Sequence, residues 1–173
     1  MLQLLTSKPV LYVCNVDENS AADGNEYSKK VAEMAAAEGA QSVIISAEIE
    51  SEVAQLESED EKKDFLASLG LEETGLSKII HAGYNLLGLQ TFFTAGPKEV
   101  RAWTFIKGMK APQCAGIIHS DFERGFIRAE TISYDDYIKF GGEQGCKEAG
   151  KMRSEGKDYV VQDGDLMNFL FNV

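Results

Sequence analysis

The run Val10-Leu11-Tyr12-Val13-Cys14 follows Pro9 without a polar interruption, the pattern of a strand buried on both faces of a parallel sheet. Asn25 stands ready to cap a helix that puts Tyr27, Val31, Met34 and Ala35 on one face, and Gly39 closes it. Ser42-Val43-Ile44-Ile45-Ser46 is a second buried strand, so the first forty-odd residues predict a right-handed βαβ unit. An acidic helical stretch follows, with Val53 and Leu56 on its short apolar side. Ser58 and Glu61 have capping-box spacing ahead of a helix that buries Phe65, Leu66 and Leu69 and stops at Gly70. Leu76, Ile79, Ile80, Gly83, Tyr84 and Leu87 then recur at helical spacing.

From Leu89 the period changes. Thr91–Thr94 and Val100–Phe105 flank Gly96-Pro97-Lys98-Glu99, a hairpin signal. Pro112 suits the first turn of a helix carrying Cys114, Ile117 and Ile118. Residues 127–132 predict a strand, Ser133 a cap for a short helix through Tyr137 and Ile138, and residues 158–161 with 166–173 a second hairpin around Asp163-Gly164-Asp165. Two domains are expected: residues 1–87, α/β with a parallel βαβ core, and residues 88–173, a small α+β sheet with a helix on one face.

Charge sharpens the division. The net charge is −11, of which residues 1–85 hold −10 and residues 86–173 only −1. Indiscriminate nucleic-acid binding is disfavoured overall, while the second half retains the means to gather a basic face. No apolar run approaches the ~20 residues of a membrane-spanning helix. Cys14, Cys114 and Cys146 are odd in number and widely spaced, which predicts reduced thiols and a cytoplasmic protein, with neither disulfides nor a metal site.

Asn15-Val16-Asp17-Glu18 directly follows the first buried strand, at the strand end where ligands bind in open α/β sheets. An Asn amide there offers donors and an acceptor to a base edge, and a carboxylate three residues on accepts from N–H groups. Guanine-selecting P-loop proteins use Asn-Lys-x-Asp at this point; here Val16 replaces Lys and Glu18 replaces Asp. Adenine lacks the 2-amino group that such an Asp serves. Ser46-Ala47 at the next strand end is placed for a second base-contacting loop.

These residues resemble the YchF subfamily of Obg-like P-loop ATPases, as do Thr74–Ser77, Asn85–Leu89, Thr91–Thr94, Glu99–Trp103, Gly116–Phe122, Gly125–Glu130 and Val161–Asp165. The resemblance runs roughly from Pro9 to Val173. It implies that residues 1–87 are part of a P-loop nucleotide domain in which Asn15, Val16 and Glu18 bind adenine and Ser46 and Ala47 close over it. It also implies that residues 88–173 form a TGS domain, a ubiquitin-like β-grasp module that contacts the ribosome or its RNA, and that the whole protein binds and hydrolyses ATP with Mg²⁺. The chain departs from the family in lacking a G-x-x-x-x-G-K-[ST] phosphate loop, a Walker-B-like Asp and switch segments. It is therefore expected to be a piece of a longer protein, with no catalytic residue and no Mg²⁺ ligand of its own. A sheet without its leading strands would leave apolar edges open and invite self-association. A stand-alone TGS-type binding module without nucleotide function is the alternative, and a structural protein that binds neither ligand a third.

Other residues have plainer roles. His119-Ser120-Asp121 holds the residue types of a hydrolase triad, but sequence neighbours cannot arrange as one, and a structural role is expected. Asp163-Gly164-Asp165 lacks further ligands at calcium-site spacing and is expected to be a turn. Trp103, Phe92, Phe93 and Phe105 are expected in the core. Lys139, Lys147, Lys151, Arg153 and Lys157, with Arg101 and Lys107, are the candidates for RNA phosphate contact.

Overall fold

The computed structural model describes residues 4–96 and 99–172. The turn expected at Pro97-Lys98 and the last residue, Val173, lie outside them. The chain divides into two compact units, Met1–Leu87 and Gly88–Val173.

In the first unit, β1 (Leu11–Asn15) leads through α1 (Glu26–Glu38) to β2 (Gln41–Ile45), which pairs with β1 in parallel from Leu11↔Gln41 to Asn15↔Ile45. α2 (Ala47–Val53), α3 (Glu59–Ser68) and α4 (Gly75–Leu87) follow. The helix signals are realised in detail. Asn25 Oδ1 accepts from the N–H groups of Tyr27 and Ser28, and Ser28 Oγ accepts from Asn25 N–H. Gly39 ends α1 at φ 70°, a conformation a side chain would strain. Ser58 and Glu61 close the expected capping box on α3.

α1 and α4 lie on opposite faces of the strand pair. Adjacent strand residues point to opposite faces. A Cβ on Gly24, ahead of α1, would meet Ile44 at 2.7 Å, and one on Gly75, opening α4, would meet Ile45 at 2.8 Å. The apolar core of this unit is small, comprising Ala21, Ile49, Val53 and Leu66 with Phe65, Leu69 and Leu71 against it.

Two expectations need correction. Neither strand contains a fully buried residue, because among the described residues the sheet has only two strands and both outer edges are open. On α1 the buried positions are Ser28 and Ala35, while Tyr27 is 76% exposed and Met34 also faces out. Tyr12 Oη, on β1, donates to Glu38 at 2.9 Å, so the stripe of Tyr27, Met34 and Glu38 flanks the β1 edge. Leu76, Ile80 and Leu87 form the exposed stripe of α4. That stripe is turned away from Lys78, His81 and Asn85, which line a groove of about 430 Å³ along β2. The β1 edge thus has apolar flanks and the β2 edge polar ones.

In the second unit, β3 (Leu89–Ala95) and β4 (Val100–Ile106) form the first hairpin in the register Leu89↔Ile106 to Ala95↔Val100. α5 (Ala111–Ile118), with Pro112 in its first turn, and α6 (Ser120–Arg124) lead to β5 (Phe126–Ser133). Then come α7 (Tyr134–Lys139), α8 (Glu143–Glu148), β6 (Arg153–Glu155) and β7 (Asp165–Phe171). The sheet order is β4-β3-β7-β5-β6, with β3 and β7 parallel and the other neighbours antiparallel. Phe92, Phe105, Ala129, Met167 and Phe169 meet Cys114 and Ala115 of α5 in one core, with Trp103 partly buried against it. Phe93 turns to the other face, against Tyr134.

The second hairpin is not formed. Residues 158–161 make a single bridge, Lys110↔Val160, and β7 takes β5 and β3 as partners instead. The backbone of 158–161 is drawn to the start of α5: Ala111 N–H donates to Tyr159 O at 2.9 Å and Val161 N–H to Met109 O at 3.1 Å. Asp163-Gly164-Asp165 is a turn tied to β3, with Thr91 N–H donating to Asp163 Oδ1 at 2.7 Å and Gly164 N–H to Thr91 O at 2.8 Å.

Asp165 is buried and accepts from Tyr159 Oη at 2.7 Å and Gln162 N–H at 2.9 Å, and Arg153 donates in turn to Tyr159 Oη at 3.1 Å. Burial and then the bond to Asp165 push the Tyr159 phenol up to about 12. Burial, and then the charge of Asp165, push the Cys114 thiol to about 12 as well. Both groups are held protonated, so their contribution is complete below their unfolded values near 9–10 and is lost as pH rises toward 12. Denaturant midpoints of the second unit should therefore fall between pH 9 and 12. Tyr159→Phe should make that fall shallower above pH 10, as read by urea titrations at stepped pH.

Candidate nucleotide-base site

The two parallel strands end side by side, and their following loops are laced together. Val16 N–H donates to Ile45 O at 2.9 Å, continuing the ladder one residue past β1. Asn15 Oδ1 accepts from Ala47 N–H at 2.9 Å, across 32 residues of sequence. Asp17 then caps a 3-10 turn, Glu18–Ser20, by accepting from Ser20 N–H at 3.1 Å and Ser20 Oγ at 3.0 Å.

Asn15, Val16, Ser46 and Ala47 therefore share one place, with Glu18 a turn beyond. Asn15 Oδ1 is turned toward Ala47, which points its amide N–H pair the other way. Among the described residues no hydrogen bond or ion pair engages that amide nitrogen or the Glu18 carboxylate. Ser46 is buried and its Oγ has no partner among the described residues.

A feature not singled out in the sequence supports this loop. Glu50, one turn into α2, reaches α4: its Oε1 accepts from Gly75 N–H at 2.5 Å and its Oε2 from Leu76 N–H at 3.3 Å. Thr74 Oγ1 accepts from Ser77 N–H at 3.1 Å, completing the cap of α4. Glu50 sits in an acidic run whose other members face solvent, and nothing in the local pattern separates it from them.

The basic residues of the second unit do not form one patch. Arg101 and Lys107 belong to β4 and the segment after it; Lys139 and Lys147 lie on α7 and α8, Lys151 on the approach to β6, and Arg153 in β6 itself. β4 and β6 are opposite edges of a five-stranded sheet, about 19 Å apart at ~4.8 Å per strand. Lys147 pairs with Glu143 at 2.6 Å, and Lys151 with Asp136 at 3.7 Å. Arg153 pairs with Glu155 at 3.0 Å and Asp165 at 3.5 Å. Arg101 lies 4.0 Å over the Trp103 ring and 3.9 Å from Glu99. Lys107 and Lys139 are in no ion pair among the described residues. His119 Nδ1 accepts from Asp121 N–H at 3.2 Å and so caps α6, a structural role. Among the described residues no group of three or more His, Cys, Asp or Glu could hold a metal, and no helix is long and apolar enough to cross a membrane.

A family model, YchF-GTPase_C, described as a protein of unknown function (DUF933), matches residues 89–172. The chain is 63% identical over 174 residues to a protein of Bacillus subtilis (strain 168) named ribosome-binding ATPase YchF, covering 99% of this chain and 47% of that protein. A protein of the same name from Escherichia coli O157:H7 is 58% identical over 172 residues, with 99% and 47% covered. The chain spans about half the length of the curated relatives it matches. Among solved structures, the Schizosaccharomyces pombe YchF GTPase matches with a TM-score of 0.80 at 36% identity, over 96% of this chain and 44% of that one. With sequence identity of this order over nearly its whole length, the chain belongs to the YchF family of Obg-like proteins.

Proposed function

We propose that residues 1–87 carry the adenine-reading side of an ATP site and residues 88–173 a TGS-type β-grasp binding module, in a cytoplasmic protein that works at the ribosome. The observation that carries this is the hydrogen bond between Asn15 Oδ1 and Ala47 N–H. It joins the two strand-end loops and supports a reading in which the Asn15 N–H pair faces a ligand. Adenine offers an acceptor at N7 and a donor at its 6-amino group. The Asn15 N–H pair suits the first, and the Glu18 carboxylate suits the second. Guanine presents a carbonyl oxygen in place of that amino group, and a carboxylate disfavours it. Val16 contributes apolar surface and backbone beside the base, and Ser46 and Ala47 close over it.

The residues present fit the base and not the Mg²⁺-triphosphate. No phosphate-cradling string occurs in the sequence. Mg²⁺ and the phosphate grip, with the hydrolysis they enable, are assigned to the longer relatives, which are named ATPases. When bound, Mg²⁺ would supply charge neutralisation at the phosphates; the residues of this chain would orient the base.

For the second unit, a mixed sheet with parallel β3 and β7 at its centre, and a helix following the first hairpin, supports the β-grasp assignment. Ribosomal RNA is the proposed partner. Lys107 just after β4 and Lys139 at the end of α7 are the cations best able to meet phosphate, and Lys147, Lys151, Arg101 and Arg153 would contribute by exchanging their present carboxylates. The alternative, a TGS-type module without nucleotide function, draws support from the self-contained core of residues 88–173.

Titration of the whole chain with ATP and with GTP tests the nucleotide proposal. Phosphates supply most of the affinity in such sites, so binding on the order of millimolar is expected, with ATP preferred several-fold. Glu18→Ala should remove the preference, and Asn15→Ala should weaken both nucleotides. Equal affinities for the two nucleotides in the unsubstituted chain would favour the alternative.

A further inference from the structure

We propose that Glu50 is the positioning residue for the base-closing loop, and that it sets base preference without touching the base. This rests on the base-site proposal above. Three observations lead to it. Glu50 lies one turn beyond Ser46, and its own N–H donates to Ser46 O at 3.0 Å, so it is built into the first turn of α2. Its carboxylate leaves that turn and accepts from the Gly75 and Leu76 N–H groups, at 2.5 and 3.3 Å, on the opening turn of the thirteen-residue α4. Gly75 lies so close to this contact that a Cβ there would stand 3.0 Å from Glu50 Oε1 and 2.8 Å from Ile45.

The physical consequence is a clamp. A carboxylate on the first N–H groups of a helix makes charge-assisted bonds, strengthened by the helix dipole. α2 is only seven residues long, Ser46 gives it no side-chain cap, and its first amide, Ala47 N–H, is the one that holds Asn15. α2 alone is too short to hold its first turn in place. Glu50 ties that turn to α4, which packs on β2 through Gly75, and thereby keeps Ala47 N–H pointed at Asn15 Oδ1. If the clamp opens, Asn15 Oδ1 loses Ala47 N–H and its amide can turn over. A turned amide sets its oxygen against N7, an acceptor in both purines, and the base is no longer held against the Glu18 carboxylate that separates adenine from guanine.

The test uses the full chain with Glu50→Ala and Glu50→Gln, read by amide hydrogen exchange and by ATP and GTP titration. In Glu50→Ala, exchange at Ala47, Gly75 and Leu76 should rise at least tenfold, and the ATP-over-GTP preference should fall to near one. Glu50→Gln keeps an acceptor for Gly75 N–H without the charge, and should restore part of both. A residue that only stabilised the fold would lower the denaturation midpoint while leaving the ratio of the two affinities alone. Preserved preference with unchanged Ala47 exchange in Glu50→Ala overturns the proposal. If the unsubstituted chain shows no preference, the base-site proposal fails. The exchange at Ala47 then still decides whether Glu50 holds the loop.

Discussion

Phe92→Ala is expected to destabilise residues 88–173 by about 3–5 kcal/mol, the range for emptying a large aromatic site in a packed core. Phe92 is fully buried, on the β3 strand that joins the first hairpin to β7. Its ring stands 6.4 Å from Trp103, 5.9 Å from Phe105 and 5.8 Å from Phe169, the last edge-on. Removing it takes one partner from three aromatic contacts and leaves a void between the sheet and α5 that the backbone of a central strand cannot collapse into. A domain of this size has about 5–15 kcal/mol of stability in all, so much of it would go. The chain has one tryptophan, Trp103, and it lies in this core, so its fluorescence during urea unfolding follows this unit. A lowered midpoint with an unchanged slope is the expected result. Phe93→Ala, on the other face against Tyr134, should cost much less.

The second large effect concerns the first unit. Gly75→Ala puts a methyl 2.8 Å from both Cβ and Cγ2 of Ile45, closer than real Cβ contacts come. Ile45 is in a strand and branched at Cβ, so it has little freedom to yield, and α4 must lift from β2. Overpacking of this kind costs about 1–3 kcal/mol. Among the described residues the unit it strikes has five buried apolar side chains, two of them alanines, and an open β1 edge, so its reserve is small. Hydrogen exchange should show protection lost across β1, β2 and α4 while β3, β5 and β7 keep theirs. Loss of protection shared equally by both units would mean that they unfold as one.

Much of the local structure is legible because its causes are local. Asn25 with Ser28, Ser58 with Glu61, Pro112 and Ser133 each announce a helix start, and Gly39 announces an end, through hydrogen bonds or φ angles within a few residues. The strand at 158–161 misleads for a tertiary reason. Tyr-Val-Val has strand character, but its backbone bonds go to Met109 and Ala111, and Tyr159 turns inward to Asp165. β6 is Arg-Ser-Glu, three residues with no apolar member, and no hydrophobic period exists to reveal it. At the site, the position of Asn15 and Glu18 follows from the rule that ligands meet strand ends. The bond from Ala47 N–H to Asn15, and the reach of Glu50 to Gly75, span 32 and 25 residues and become visible only when the loops are brought together.

The most direct test of the central claim is a residue-resolved NMR titration of the full chain with ATP and GTP. The expected result is amide shifts confined to Asn15, Val16, Glu18, Ser46 and Ala47, larger for ATP than for GTP at equal concentration. Equal shifts from the two nucleotides, or ATP-dependent shifts that avoid these five residues, would contradict an adenine-reading site at the ends of β1 and β2.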